Sequence, residues 1–276
     1  MLGHNHIGKN GRFGNQMFQY AATRGIAAAR GYDFMIPDGP RTDEEFVDEE
    51  QQHKLFMAFK LPSLFEGKSE RIGYLDAPYI NENGFRFNWN IFNTCSDNVN
   101  LFGYFQSEKY FKHIEDEIRK DFSWRDDVFE ICEKIYNQIA PEGKAISLHI
   151  RRTDHLLKPQ FHPVLPITYY ENALKKFDND LPVIIFSDDP KWCNQQELFD
   201  NDRYFISEGG DNITDMCLMS MCSHHIIANS TFSWWGAWLS GNNNVIGPKL
   251  WFGPAFYLGG QDPTDIFIDR WEYLDV

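Results

Sequence analysis

The second half of this 276-residue chain predicts an α/β fold built on a parallel sheet, and two observations carry the prediction. Short apolar runs alternate with helix-like segments over short connections, the pattern of strand–helix–strand units with helices on both faces of a sheet. Charged and hydroxyl-bearing residues follow those runs directly, and ligands of parallel sheets collect at the carboxyl ends of strands. Residues 144–250 are therefore expected to form a Rossmann-like domain. Residues 1–140 would form an N-terminal α/β domain, with 251–276 as a tail packing on either one.

The elements follow in order. Asn15 to Arg30 predicts a helix closed by Gly31, leading to a short strand at Asp33–Ile36. Residues 37–100 are rich in Pro, Gly, Asn, Asp and Phe with few clean periods, so loops and short elements are expected. Phe111, Ile114, Ile118 and Phe122 make the apolar stripe of a helix over Ser107–Phe122. Another helix runs from Asp127, with Val128, Ile131, Ile135 and Ile139 facing inward. Pro141-Glu142-Gly143 breaks the pattern and marks the domain boundary. Beyond it, Ala145–Ile150, Val183–Phe186, Tyr204–Ile206, His225–Ala228 and Val245–Gly247 read as strands. The clearest helix among them opens at Thr168, with Glu171 completing a capping box.

Composition narrows the function. With 26 basic against 40 acidic residues, the net charge is −14, which argues against a nucleic-acid or anionic-membrane binder. Any anion site must be local. Five cysteines, odd in number and without a C-x-x-C pair, suggest neither a disulfide framework nor a zinc site, and favour a reducing compartment. No apolar run approaches the ~18 residues of a membrane span, and Met1 to Gly11 lacks the apolar core of a signal peptide. A cytoplasmic protein is expected.

Four segments bear chemistry. His149-Ile150-Arg151-Arg152-Thr153-Asp154 closes the first strand of the second half. Two adjacent arginines there match phosphate oxygens with rigid donor forks, or else form a surface ion-pair cluster. In Gly11-Arg12-Phe13-Gly14-Asn15-Gln16, a glycine pair before a helix lets backbone N–H groups approach an anion or a sugar; Asn15 could equally cap that helix. After the next strand come Ser187, Asp188 and Asp189. Asp189 suits the N-cap of a helix beginning at Pro190, leaving Ser187 or Asp188 for binding. Asn229-Ser230-Thr231-Phe232-Ser233 opens a tryptophan-rich helix, where hydroxyls and free N–H groups meet a phosphate or cap the helix. Asp215, near the start of the preceding helix, favours the helix dipole or accepts from a guanine. Asp178-Asn179-Asp180 has a metal-binding D-x-D form but precedes a strand, on the wrong side for a ligand, and reads as a solvated turn.

Together, GRFGNQMFQ (11–19), GYFQSEKYF (103–111), HIRRTD (149–154), FSDD (186–189) and DMCLMSMCSHHIIANSTFSWWGAWL (215–239) resemble the α1,2-fucosyltransferases of glycosyltransferase family 11. The resemblance covers most of the chain in the family's order, with little from 37–100. It implies a GT-B fold, two Rossmann-like domains with a cleft between them, the N-terminal one on the acceptor side. It implies inverting transfer of L-fucose from GDP-β-L-fucose to a galactoside 2-hydroxyl, without a metal. By position, Arg151 would bind the β-phosphate and Arg152 support it. His149 and Asp215 would contact the guanine side, and Ser230 to Ser233 would cradle the diphosphate. Asn15 and Gln16 would face the reacting sugar. Asp154 is the candidate general base, on proximity, and would otherwise be an arginine's structural partner. The acceptor would be a galactose-terminated oligosaccharide or a lipid-linked glycan, shaped by residues 81–100 and 155–165.

One departure bears on linkage. Thr153 stands where the α1,2 enzymes usually carry glycine, and HIRRTD with Phe161-His162-Pro163 is closer to the related α1,6-fucosyltransferases. An α1,6 or other linkage is therefore the alternative, and a catalytically silent sugar-nucleotide or glycan binder of the same fold is a second.

Overall fold

The computed structural model describes residues 1–39, 53–66 and 70–276; the expectation of loops over 40–52 and 67–69 lies outside them. The chain divides into two compact units, Met1–Arg125 with Asp262–Ile268, and Asp126–Gln261 with Asp269–Val276. The division falls before the helix that starts at Asp126, whereas the sequence break at 141–143 placed it after. The expected C-terminal tail is shared between the two units.

The first unit contains β1 (Leu2–Gly3), α1 (Phe13–Arg30), β2 (Phe34–Met35), α2 (Leu55–Ala58), β3 (Tyr79–Asn81), α3 (Trp89–Thr94), β4 (Val99–Phe102) and α4 (Glu115–Asp121). Its strands form a parallel sheet in the order β2-β1-β4-β3. The central strand lies within the N-terminal stretch that reads as polar, because a two-residue strand has no period to detect. α1 carries the core, with Met17, Phe18, Tyr20, Ala21 and Ala22 fully buried. Gly31 ends it at φ 68°, its N–H reaching the carbonyls of Ala27 and Ala28, a left-handed cap that suits glycine. Gly25 allows a close approach: a Cβ there would stand 2.1 Å from the Tyr110 carbonyl oxygen.

That approach changes the expected helix over Ser107–Phe122. Residues 108–110 and 112–114 form two 3₁₀ turns, and only α4 is α-helical. Phe111 breaks the run with φ −135°, while its backbone and that of Tyr110 press on α1 at Gly25. The apolar stripe itself is as expected, since Phe111, Ile114, Ile118 and Phe122 are all buried.

The second unit contains α5 (Asp126–Ile139), β5 (Ile146–Ile150), α6 (Thr153–Leu157), α7 (Ile167–Leu174), β6 (Val183–Ser187), α8 (Pro190–Cys193), β7 (Tyr204–Ile206), α9 (Asn212–Met221), β8 (His224–Ile226), α10 (Thr231–Ser240), β9 (Val245–Pro248), α11 (Pro254–Leu258) and β10 (Glu272–Leu274). All six strands are parallel, in the order β10-β9-β8-β5-β6-β7. Counted from β5, this is the 3-2-1-4-5-6 order of a Rossmann sheet, whose switch point lies between β5 and β8. Every residue of β5 is buried, as a central parallel strand covered on both faces requires. Trp234, Trp235 and Trp238 of α10 are buried too, and Gly236 leaves room for Met219 of α9, which a Cβ would meet at 2.8 Å.

Three local expectations change. On α5 the buried residues are Cys132 and Tyr136, while Ile131 is 55% exposed; the inward line is turned one residue from the isoleucine stripe. α7 starts at Ile167 behind Pro166 and has no side-chain cap, so the Thr168–Glu171 capping box does not form. The β8 ladder ends at Ile226, leaving 227–230 as the connection into α10.

Candidate functional site

In the second unit, the ends of β5, β6 and β8 gather the residues singled out in the sequence. β5 delivers His149 inside the sheet and Arg151 just beyond it. The Arg151 guanidinium bridges two carboxylates, Asp154 at 2.6 Å and Asp188 at 3.1 Å. Arg152 turns the other way. Its Nε lies 3.2 Å from Asp189, and its guanidinium covers the Trp192 ring at 4.0 Å, a cation–π contact.

The β6 end serves this turn. Asp188 accepts from the backbone N–H groups of Arg152 (2.9 Å) and Thr153 (3.1 Å), and from the Thr153 hydroxyl at 2.5 Å. With Arg151 as a fourth partner, Asp188 organises the arginine turn. Ser187 is engaged locally, its hydroxyl accepting from the Asp189 N–H at 3.0 Å. Asp189 caps α8 by accepting from Trp192 N at 3.2 Å, as Pro190 predicts. Asp178-Asn179-Asp180 forms an exposed turn, Asp178 accepting from Asp180 N.

β8 contributes the opposite side of the switch point. Ser230 caps α10, accepting from Phe232 N at 3.3 Å, with Thr231 and Phe232 half-buried in the first turn. Ser233 is buried and shares a hydrogen bond of 2.9 Å with His149 Nδ1, which ties α10 to β5. Burial lowers the His149 pKa to about 4, against the pull of Asp188, so the ring is neutral near pH 7. Asn229 holds the surrounding loops, its amide donating to the carbonyls of Pro163 (3.0 Å) and Trp251 (3.1 Å). Asp215 lies in the first turn of α9 and accepts from Ser207 Oγ, just past β7, at 2.7 Å. Burial pushes its pKa up to about 6, against that hydrogen bond.

For Asp154 burial alone would raise the pKa. The hydrogen bond and charge of Arg151, aided by His155, outweigh it and hold the carboxyl below its ordinary value.

The first unit has a switch point of its own between β1 and β4, and sequence reasoning reached only half of it. Gly14 and Gln16 are buried in the first turn of α1, whose N-cap is Arg12, so Asn15 lies inside the helix. Gln16 Oε1 accepts from Lys54 N at 2.9 Å. Asn15 Oδ1 accepts from the side-chain amide of Gln106 at 2.9 Å. Gln106 was overlooked as a site residue, although it lies in the 103–111 block. Phe105, with φ 53°, turns the chain so that Gln106 meets Asn15. Glu82 secures this strained residue by accepting from Phe105 N at 2.7 Å, Tyr104 N at 3.0 Å and the Tyr110 hydroxyl at 3.1 Å. Gln19 joins the two loops, its amide donating to the carbonyls of Asn10 (2.9 Å) and Gly103 (3.1 Å). A lone half-buried glutamate in an asparagine-rich stretch carries no motif, so Glu82 is not identifiable from the sequence.

Comparison with known proteins places the chain in a family. The model of glycosyl transferase family 11 matches residues 1–275. The O-antigen biosynthesis glycosyltransferase WbnK of Escherichia coli is 36% identical over 185 residues, an alignment spanning 62% of this chain and 59% of that relative. An alpha-1,2-colitosyltransferase of Escherichia coli is 30% identical over 271 residues, covering 88% of this chain and 90% of the relative. Among solved structures, the fucosyltransferase NodZ from Bradyrhizobium superposes with a TM-score of 0.55 at 14% identity, covering 86% of this chain and 92% of that one. This last likeness speaks to the fold, of the GT-B class, with two parallel-sheet units. The chain belongs to glycosyl transferase family 11.

Proposed function

We propose that the chain transfers L-fucose from GDP-β-L-fucose, with inversion, to the 2-hydroxyl of a galactoside in an oligosaccharide or a lipid-linked glycan. The observation that carries this reading is Arg151 at the Rossmann switch point, beside the capped N-terminus of α10. Departure of the sugar leaves extra charge on GDP as the ring becomes oxocarbenium-like, and fixed cations and N–H dipoles stabilise that charge. Arg151 takes the β-phosphate, and Arg152, held by Asp189 and Trp192, keeps the turn in place. Asn229 and Ser230 to Ser233 line the diphosphate. His149, neutral and bonded to Ser233, and Asp215, beside Ser207, lie on the guanine side, with Ser187 and Asp188 shaping the turn between. Asn15, with Gly14 and Gln16 in its helical turn, faces the sugar. Asp154 is the candidate base. Because arginine and N–H donors meet the phosphate charge and the neighbouring carboxylates are engaged, the reaction is expected to proceed without a metal.

The similarity to an alpha-1,2-colitosyltransferase over 88% of this chain favours a second donor reading, GDP-colitose. Colitose is fucose without its 3-hydroxyl, and a site that hydrogen-bonds a hydroxyl discriminates strongly against the analogue lacking it.

The test is GDP release in EDTA from each donor, against lactose, N-acetyllactosamine and a chitobiose core, with products mapped by NMR. Acceptor-dependent release from GDP-fucose with an α1,2 product supports the proposal. Preference for GDP-colitose replaces the donor, and fucose on chitobiose alone replaces the linkage. Tight GDP binding without release from either donor would favour the silent binder.

A further inference from the structure

The turn after β5 presents an electrostatic problem for an anion site. Arg151 and Arg152 bring two positive charges, and Asp154, Asp188 and Asp189 bring three negative ones. His149 and His155 add none near neutral pH, since burial lowers each pKa to about 4. The cluster is net negative, with both arginines already paired, and a diphosphate adds further negative charge.

The three carboxylates are not equivalent. Asp188 is built into the turn by two backbone N–H groups and a hydroxyl, and its side chain is 17% exposed. Asp189 is fixed as the cap of α8 and is 28% exposed. Asp154 sits in the first turn of the short α6, is 45% exposed, and meets the Nη2 of Arg151 at 2.6 Å. Asp188 meets the other terminal nitrogen, Nη1. Asp154 is thus the most exposed of the three carboxylates and holds the Nη2 side of the arginine, while Asp188 holds the Nη1 side.

We propose that Asp154 is a resident stand-in for the β-phosphate: it occupies Arg151 in the free protein and is displaced when a nucleoside diphosphate binds. The exchange trades one oxyanion for another on the same donor, while Asp188 keeps the guanidinium oriented throughout. No covalent bond changes. A ligand without a β-phosphate has nothing to offer Arg151 in return and leaves Asp154 in place. Once displaced, Asp154 loses the partner that lowers its pKa and becomes a better proton acceptor. The inference rests on the reading that Arg151 binds the β-phosphate of a GDP-sugar, yet its test is separate from turnover.

The experiment is calorimetric titration of the wild type and Asp154→Asn with GDP and with GMP. Asparagine has the shape of aspartate at a half-exposed position, and thermal unfolding of the variant checks the fold. The expected result is GDP binding tightened about fivefold, the order of a partly exposed ion pair, with GMP binding changed less than twofold. GDP affinity unchanged or weakened in the variant would overturn the displacement and leave the donor reading standing. Equal tightening for GDP and GMP would show a general charge effect and overturn it too. No GDP binding by either protein would overturn both readings.

Discussion

The two switch points of this chain are built from different chemistry. In the second unit, charges stand at the strand ends, with Arg151 and Arg152 held by Asp154, Asp188 and Asp189. In the first unit, the corresponding loops are joined by neutral amides, Gln19 to Asn10 and Gly103, and Gln106 to Asn15. The first unit keeps a strong ion pair elsewhere, in its core: the fully buried Asp121 lies 2.7 Å from Arg24 Nε and accepts from the Tyr20 hydroxyl at 2.9 Å and Ser63 N at 2.9 Å. Charge holds the fold in one unit and forms the candidate site in the other. The chemistry suits the ligands proposed for each, since guanidinium forks match a diphosphate and amides match a sugar's hydroxyls.

The largest effect expected from this contrast is on stability. Asp121→Ala leaves the half-buried Arg24 with the Ser63 hydroxyl but no carboxylate and orphans Tyr20 and Ser63 N, a change worth about 3 kcal/mol. Denaturant unfolding should show the first unit lost early while GDP still binds the second. Loss of GDP binding in step with stability would mean that the two units do not separate charge in this way. Arg151→Ala is the converse. Removing a transition-state donor costs about 2.7–4 kcal/mol, roughly 10²–10³ in turnover, with weaker GDP binding and an unchanged midpoint of unfolding, because the residue lies beyond β5 rather than in the core. Unchanged GDP affinity in that variant would remove Arg151 from the phosphate.

The same contrast explains how much could be read from the chain. Five of the six strands of the second unit are three to five residues long, mostly apolar and separated by helix patterns, so the parallel sheet and its strand-end residues were visible, whereas β10, Glu272–Leu274, falls in the stretch read as a tail. Even there, clustering of Asp188 and Asp189 with the arginines did not reveal that Asp188 accepts from the turn's backbone. In the first unit β1 and β2 have two residues each, too few for alternation to show. The 107–122 helix was over-read because apolar spacing cannot register the backbone of Tyr110 against Gly25. Gln106 lies within the 103–111 segment, but its role depends on the left-handed turn at Phe105, which no residue preference announces.

A third prediction tests how that turn is held. Burial pushes the Glu82 pKa up to about 7, against the hydrogen bonds from Phe105 N, the Tyr110 hydroxyl and Tyr104 N. A carboxyl whose folded pKa lies above its unfolded value of 4.5 binds more protons when folded. Its contribution to stability is present below pH 4.5 and is lost as the pH rises through about 7. Burial also holds His4 and His225 at about 3 and His53 at about 4; these act in the opposite sense, losing stability as the pH falls below 6.5. The difference between wild type and Glu82→Gln isolates the carboxylate. Relative to wild type, the variant should gain about 1–2 kcal/mol between pH 5 and pH 8. A constant difference across that range would show that Glu82 ionises normally.

The smallest effect is expected at Thr153, the departure from the glycine usual in α1,2 enzymes. Its hydroxyl donates to Asp188, which also accepts from Arg152 N, Thr153 N and Arg151. Thr153→Ala therefore removes one donor of four, worth about 0.5–1.5 kcal/mol, and the rest keep Arg151 in place. Turnover should fall no more than several-fold, and the NMR-mapped linkage should not change, because the hydroxyl is directed at the arginine turn. A switch in linkage in this variant would mean that Thr153 acts on the acceptor. The charged switch point would then select the acceptor as well as hold the donor phosphate, and the division of chemistry between the two units would fail at this residue.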